Sequence, residues 1–332
     1  MSRNATKDLT TGSPMKLILG FGIPLLFGML FQQFYNMMDT IIVGKFLGVS
    51  ALASVGATGS INFMIIGFCM GVCNGFAIPV AQRFGAKDEH GMRKFVANSV
   101  WLSIIFAVVM AVLVCVFCRQ ILELMNTPED IIDGSYSYIF VIFLGIPATY
   151  MYNLLSGIMR SLGDSKTPLY LLIFSSILNI ILDLLSIIVL KMGVAGAAWA
   201  TVIAQAVSGF CCLGVIWKKF PILHVQREEW QPDKLCILNL CNMGIPMGLQ
   251  YSITAIGSVI IQAAVNSLGS VAVASVAAAV KINMFLCCPY DAMGSTMATY
   301  AGQNVGAGKF DRLKQGEKSC TLLGLVYGIA AF

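Results

Sequence analysis

The 332 residues are 58% hydrophobic and only 11% charged, and their mean hydropathy is +0.82. Because soluble domains carry about 25% charged residues, this composition excludes a soluble enzyme or binding domain and indicates a polytopic membrane protein. The net charge of +5 does not indicate a nucleic-acid partner, since such a partner needs a basic face on a soluble domain.

Nine apolar segments approach or exceed the roughly 20 residues that a spanning helix needs. They lack the alternation of apolar and polar residues that transmembrane β-strands show. The sequence therefore predicts an all-α transmembrane helical bundle, with the first span retained and not cleaved as a signal. In chain order the predicted spans cover 16–42, 50–79, 95–118, 134–158, 167–190, 194–217, 236–262, 271–299 and 317–332.

The basic residues fix the predicted orientation. With the N-terminus inside, Lys45, Arg119 and Lys191 are the basic residues of the outer segments, and Lys281 lies within a span. All other lysines and arginines fall on inner segments, as the positive-inside rule requires. We therefore expect a multi-pass plasma-membrane protein with a cytoplasmic N-terminus.

The chain also contains an internal repeat. Gly22-Ile23-Pro24 recurs as Gly244-Ile245-Pro246 at an offset of 222, and Leu47–Ala57 recurs as Leu268–Ala278 at 221. Gln82 and Gly85-Ala86 likewise recur as Gln303 and Gly306-Ala307. This order and spacing predict a duplicated six-helix bundle, a common transporter plan.

The repeat gives the expected domain organisation. Residues 1–217 would form a first six-helix lobe, 218–235 an inner linker, and 236–332 the first half of a second lobe. By the same offset the second lobe would need roughly three more helices, so we expect the chain to be incomplete at its C-terminus.

Four ionisable residues fall within predicted spans, where charge is costly and therefore marks candidate functional positions. They are Asp39, Asp183, Lys281 and Asp291. Lys281 and Asp291 are ten residues apart, about 15 Å along a helix, so they do not pair directly. They are candidates for a substrate path or for structural pairs elsewhere.

Asp183 has Asn179 one turn before it on the same helix face. Asn153 and Thr201 add polar oxygens to neighbouring spans. With Asp39, these side chains can bind a small cation, or the two carboxylates can share a proton. The alternative is an internal hydrogen-bond network that only stabilises the bundle.

Proline and glycine mark two further features of the spans. Gly67, Gly71 and Gly75 form a small-residue groove on one helix face, which favours close helix packing. Pro24 and its neighbouring glycines are a candidate hinge in the first span.

Taken together, the motifs resemble the multidrug and toxic compound extrusion (MATE) exporters. The segments that carry the resemblance extend over both copies of the repeat: Gly22-Ile23-Pro24, Asp39, Leu47–Ala57, Gln82-x-x-Gly85-Ala86, Gly302-Gln303-Asn304-x-Gly306-Ala307-Gly308, and Arg160-Ser161-Leu162-Gly163-Asp164 before Thr167-Pro168.

The resemblance implies twelve helices in two lobes around a central cavity that opens to one side at a time. It implies export of organic, often cationic, compounds in exchange for Na⁺ or H⁺, with no other cofactor or metal. One branch of that family binds its cation in the first lobe, and its ligand positions match Asp39, Asn153, Asn179, Asp183 and Thr201.

We therefore expect a monomeric cation-coupled exporter of small cationic, amphipathic compounds and not an enzyme. The closest rival is a lipid or lipid-linked oligosaccharide flippase of the related superfamily. Such proteins usually need a strongly cationic cavity, and Lys281 is the only base within a predicted span.

Overall fold

The computed structural model describes residues 6–125, 127–266 and 270–331, and all regular structure in these ranges is helical. The helices of the first copy are α1 Pro14–Leu47, α2 Val49–Ala57, α3 Gly59–Gly85, α4 Glu89–Val116, α5 Cys118–Leu124, α6 Glu129–Leu144, α7 Ile146–Ser161, α8 Lys166–Leu184 and α9 Gly193–Lys219. After the linker come α10 Lys234–Asn266, α11 Ser270–Gly306 and α12 Phe310–Ala331. The domain limits 1–217, 218–235 and 236–332 stay a prediction.

The six predicted spans of the first copy correspond to helices long and apolar enough to cross a membrane. Five are α1, α3, α4, α8 with its π-helical end Leu185–Val189, and α9, while α6 and α7 together form a sixth that is bent by 46°. The predicted spans 236–262 and 271–299 lie within α10 and α11, and 317–332 overlaps α12. That these three helices cross the membrane stays a prediction.

Two predicted spans were wrong in detail. The span 50–79 is divided at Thr58, whose hydroxyl donates to the Val55 carbonyl oxygen at 2.7 Å, so the crossing helix is α3. The span 134–158 is bent at Gly145, because α7 begins anew there with Pro147 in its first turn. Proline has no amide hydrogen to continue the hydrogen bonding of α6.

The two copies pack against each other through helices that the repeat relates. Gly75 of α3 meets Gly244 of α10, where a Cβ on Gly75 would lie 2.5 Å from the Gly244 Cα. The equivalent crossing brings Gly22 of α1 against Thr296 of α11, where a Cβ on Gly22 would lie 3.0 Å from the Thr296 hydroxyl oxygen. The predicted close approach along the glycines of α3 is thus confirmed, and it joins the two copies.

One end of the bundle gathers the segments that the sequence assigns to the inner side. Residues 7–12, here called the N-terminal strap, run across this end. The Lys7 amide donates to the Leu162 carbonyl oxygen at 2.9 Å, and the Leu9 amide donates to Gln303 Oε1 at 2.8 Å. Because Leu162 follows α7 and Gln303 lies on α11, the strap ties the two copies together.

The linker is bound to the first copy at the same end. Glu229 is buried and accepts hydrogen bonds from Arg93 Nε at 2.8 and 2.9 Å. Asp233 accepts from Lys94 Nζ at 2.8 Å and from the amides of Leu235 and Cys236, so it caps the start of α10. These contacts set where the second copy begins relative to α4.

Candidate cation site

The two acidic residues of the first copy lie side by side. Asp39 of α1 and Asp183 of α8 are close enough for their carboxyl groups to interact electrostatically. Asp183 is fully buried, and among the described residues neither of its oxygens has a hydrogen-bond donor; Asp39 Oδ1 also lacks one. Two adjacent buried carboxylates repel each other strongly, so the pair requires a shared proton or a bound cation.

A hydrogen-bonded chain adjoins this pair. Asn179 Nδ2 donates to Thr201 Oγ1 at 3.2 Å, and that oxygen also lies 3.1 Å from Tyr35 Oη. Thr201 in turn donates to the Ala197 carbonyl oxygen, as threonine often does inside helices. Asn179 is almost fully buried, and its Oδ1 has no partner among the described side chains. This amide oxygen is therefore available as a ligand.

Asn153 is placed on the wall of the cavity that also touches Asn179 and Thr201. Its Nδ2 donates to the Thr149 carbonyl oxygen at 2.8 Å, which leaves its amide oxygen for other contacts. The cavity contains about 1170 Å³ of empty space, part of it open to solvent. Asp39 and Asp183 are not part of its lining, so they lie behind this wall.

The predicted residues thus come together as two adjacent groups, the carboxyl pair and the Asn179–Thr201 pair, with Asn153 on the cavity wall beside them. Carboxylate, amide and hydroxyl oxygens are the ligand types that hard cations prefer. The same carboxyl pair can equally carry a proton.

Two tyrosines of this cluster escaped the sequence analysis. Tyr35 precedes Asp39 by one helical turn and so shares its face of α1. Tyr138 of α6 is buried beside Asp39, Tyr35 and Asp183. The four-residue spacing was a usable signal for Tyr35, whereas Tyr138 is brought in by tertiary packing and left no local signal.

Arg160 was misplaced by the sequence analysis. The predicted span 134–158 ended before it, so it counted as an inner-loop residue. In the structure it lies in the last turn of α7, and its side chain lines the cavity beside Asn153. Lys281 is therefore not the only base to be considered within the bundle.

The remaining predicted residues are spread along the cleft between the copies. Pro24 lines the same cavity from α1. Asp291 lines a second cavity, of about 900 Å³ of empty space partly open to solvent, between α3, α7, α10 and α11. The side chain of Lys281 lies outside the described part of the chain.

Comparison with known proteins agrees with this architecture. The model of the MatE family matches residues 24–185 and 246–332, which include Asp39, Asp183 and both halves of the repeat. The chain belongs to the MatE family. Members of this family are membrane transporters, and the break in the match, between 185 and 246, contains the linker.

Two curated MatE relatives come from Bacillus subtilis. The chain is 32% identical to "Probable multidrug resistance protein YoeA" over 305 residues, which are 89% of this chain and 65% of the relative. It is 30% identical to "Probable multidrug resistance protein YpnP" over 308 residues, 92% of this chain and 68% of the relative. The chain thus spans about two thirds of the length of these proteins.

Solved MatE-like structures share the fold. One, titled "Crystal structure of MATE in complex with MaL6", superimposes with a TM-score of 0.92 at 24% identity and covers all of this chain and 73% of its own. Another is a MOP superfamily transporter from Pyrococcus furiosus, described as having a binding pocket of reverse polarity. It superimposes with a TM-score of 0.91 at 25% identity, and the match covers 97% of this chain and 72% of that chain. The all-α transmembrane fold predicted from the sequence is confirmed.

Proposed function

We propose that the protein works in the plasma membrane as a secondary exporter, in which inward movement of Na⁺ or H⁺ drives small organic compounds outward by alternating access. The observation that carries this proposal is the Asp39–Asp183 pair, whose buried oxygens lack donors within the described chain. A bundle that only needed stability would gain from replacing such a pair by apolar residues.

The position of the pair suggests how cation binding would reach the rest of the molecule. Asp39 lies on α1, and α1 packs against α11 of the second copy through Gly22. A cation held between α1 and α8 would favour one placement of α1 over another. Pro24, which lies between Gly22 and Asp39 on α1, would be the hinge that permits this change.

The cavity beside the pair supports small organic compounds as the transported class. Its wall combines apolar residues such as Leu25, Met29 and Met70 with the polar groups already described. Flexible methionines suit varied ligands. The names of the Bacillus subtilis relatives support multidrug substrates, and the acidic pair favours compounds with a positive charge. The protein would act as a monomer in the lipid bilayer, with its basic end in the cytoplasm and no catalytic step.

A flippase for lipids or lipid-linked oligosaccharides is the alternative. Arg160 adds one positive charge to the cleft, but Asp291 lies in the same cavity. One arginine opposite one aspartate is not the strongly cationic cavity that a diphosphate headgroup requires. The exporter is therefore the better supported function.

Ethidium efflux from energised cells that express the natural gene tests the proposal. We expect Asp39→Asn and Asp183→Asn each to abolish efflux, and dependence on external sodium would identify the ion. Asp133→Asn is the matched control, because Asp133 is an exposed acid whose side chain pairs with Arg119. Normal efflux in both site variants would contradict the proposal, whereas loss in the control would indicate a general folding defect.

A further inference from the structure

A second polar site lies in the cleft, in the cavity next to the one that adjoins the cation site. We propose that this site binds the carboxylate group of the transported compound, and that Arg160 is the residue that receives it. The inference deepens the proposed function, on which its transport aspect rests, because it names a substrate class that the acidic cation site does not suggest.

The first argument is the unbalanced charge of Arg160. Its guanidinium donates to Asn74 Oδ1 at 3.0 Å and to Ser156 Oγ at 3.1 Å, and both acceptors are neutral. None of the ion pairs among the described residues includes Arg160. Arginine stays protonated in proteins, so a full positive charge faces the cleft without a direct ion pair among the described residues, although Asp291 lines the same cavity.

Three other arginines are ion-paired, whereas Arg312, like Arg160, is half-buried and donates to neutral acceptors, Asn304 Oδ1 and the Gly12 carbonyl oxygen. Arg83, Arg93 and Arg119 each have a carboxylate oxygen within 3.5 Å. Arg93 is half-buried like Arg160, and Glu229 neutralises it. Leaving a partly buried charge without a partner costs free energy. Proteins commonly keep such unfavourable charges at binding sites.

The second argument is the geometry of the donors. A guanidinium carries five N–H groups in a planar fork, and the two hydrogen bonds to Asn74 and Ser156 leave the others for a ligand. A planar carboxylate matches two parallel N–H groups of that fork. Holding the guanidinium by two side chains fixes its direction, which lowers the entropy lost when a ligand binds.

The third argument is the rest of the lining. Gln250 and Tyr251 of α10, with Ser295 and Thr299 of α11, supply neutral amide and hydroxyl groups. Asp291 is the single acid of this cavity. A lone arginine in such surroundings suits a monoanion, because a phosphate dianion would keep an uncompensated charge. The ligand would touch helices of both copies at once.

Direct binding to the purified 332-residue chain in lipid nanodiscs tests the inference with three fluorescent probes of one scaffold. Dansylglycine carries a carboxylate, dansylglycinamide is its neutral analogue, and dansylcadaverine carries an amine. We expect the wild type to prefer dansylglycine over the amide by about tenfold, which corresponds to ~1.4 kcal/mol.

The variants separate charge from shape. Arg160→Gln should remove the preference and leave the affinity for the amide and for the amine unchanged. Arg160→Lys should keep part of the preference for dansylglycine, because the positive charge remains but the planar fork of the guanidinium is lost. Arg119→Gln, at an exposed arginine, should behave as the wild type. An equal loss for all three probes in Arg160→Gln would overturn the inference, as would a wild type without any preference.

Two further measurements keep the outcome clear. Displacement of dansylglycine from the wild type by benzoate but not by benzamide tests the same recognition without any mutation that can disturb folding.

Efflux of the probes from cells then separates the carboxylate-site proposal from the exporter proposal. Arg160-dependent binding without efflux of any probe or of ethidium would sustain the carboxylate site and contradict the exporter. Ethidium efflux with binding independent of Arg160 would sustain the exporter alone.

Discussion

Gly85 and Gly306 occupy equivalent places in one crossing of α3 and α11. A methyl group on Gly85 would overlap the carbonyl oxygen of Gln303, and one on Gly306 would overlap that of Gln82. Because these four residues are the pairs that the repeat relates, the duplication in the sequence appears as a reciprocal contact between the copies. Backbone meets backbone at this crossing, so only glycine fits.

The first prediction concerns this crossing. Gly85→Ala and Gly306→Ala should each lower the melting temperature of the purified protein, by an amount equivalent to about 1–3 kcal/mol, because the added methyl group forces the helices apart. Gly214→Ala is the control, since nothing lies within 4 Å of a Cβ at Gly214 and alanine favours helix. Unchanged melting in both crossing variants would contradict this account.

The positions of the helices could be predicted from the sequence because long apolar runs have few alternatives in a membrane. The helix breaks could not. Thr58 and Gly145 interrupt helices inside apolar runs, where hydropathy does not change. The bend at Gly145 has a local cause in Pro147, whereas the end of α2 depends on the hydroxyl of Thr58 bonding back to its own helix.

The candidate site was predictable to the extent that it consists of charges in apolar surroundings. Asp39, Asp183 and Asn179 could be found because burial of such groups is costly. Tyr138 and the cavity role of Arg160 depend on which helices pack together, and no spacing within α6 or α7 reveals that. Arg160 lies two residues beyond its predicted span, and its exposure to the cleft follows from the cavity that it lines together with α10 and α11.

The second prediction tests how the cation shell is held. Thr201→Val removes the oxygen that joins Asn179 to Tyr35. We expect cation affinity to fall about tenfold, or ~1.4 kcal/mol, without being abolished, because both carboxylates remain. Calorimetric titration of the purified protein with sodium, or with acid in its absence, measures this. The control is Thr254→Val, because the Thr254 hydroxyl lies on an exposed face of α10 and donates to the Gln250 carbonyl oxygen of its own helix. Equal affinities for the two variants would exclude Thr201 from the shell.

The third prediction is a pH dependence at the linker. Burial of the Glu229 carboxyl raises its pKa, but hydrogen bonds from the Gln226 amide, Arg93 and His90 outweigh burial, so the pKa lies below its ordinary value of 4.5. A carboxyl with a lowered pKa stabilises the folded state above the unfolded value and loses that effect as pH falls through the folded value.

Glu229→Gln should therefore melt at a lower temperature than the wild type above pH 4.5, by the equivalent of about 2 kcal/mol for hydrogen bonds to a charged group. The difference should shrink as the pH falls below 4.5. Melting curves between pH 3 and pH 7 measure it, with the exposed neighbour Glu228→Gln as the control. A difference in melting temperature that grows on acidification would show that the pKa of Glu229 is raised and not lowered.

The fourth prediction concerns the N-terminal strap. Gln303 accepts from the Leu9 amide and donates to the Ser161 carbonyl oxygen, both at 2.8 Å, and it is fully buried. Gln303→Leu would leave both backbone groups without partners, at a cost of about 2 kcal/mol. We expect the strap to detach, so that trypsin cuts at Lys7 faster than in the wild type. Gln315→Leu, at an exposed position of α12, should not change the rate. Strong protection of Lys7 in Gln303→Leu would contradict the role of this glutamine.

The last prediction separates the hinge from the cation site. Pro24 interrupts the hydrogen bonding of α1 because proline lacks an amide hydrogen, and it lies four turns before Asp39 on the same helix. Pro24→Ala restores that hydrogen bond and stiffens α1, so we expect ethidium efflux to slow severalfold while cation affinity stays at the wild-type value. Pro14→Ala is the control, because Pro14 begins α1, where its missing amide hydrogen has no helical partner to lose. If Pro24→Ala instead weakens cation binding and leaves the efflux rate at saturating cation unchanged, Pro24 shapes the site and is not a hinge.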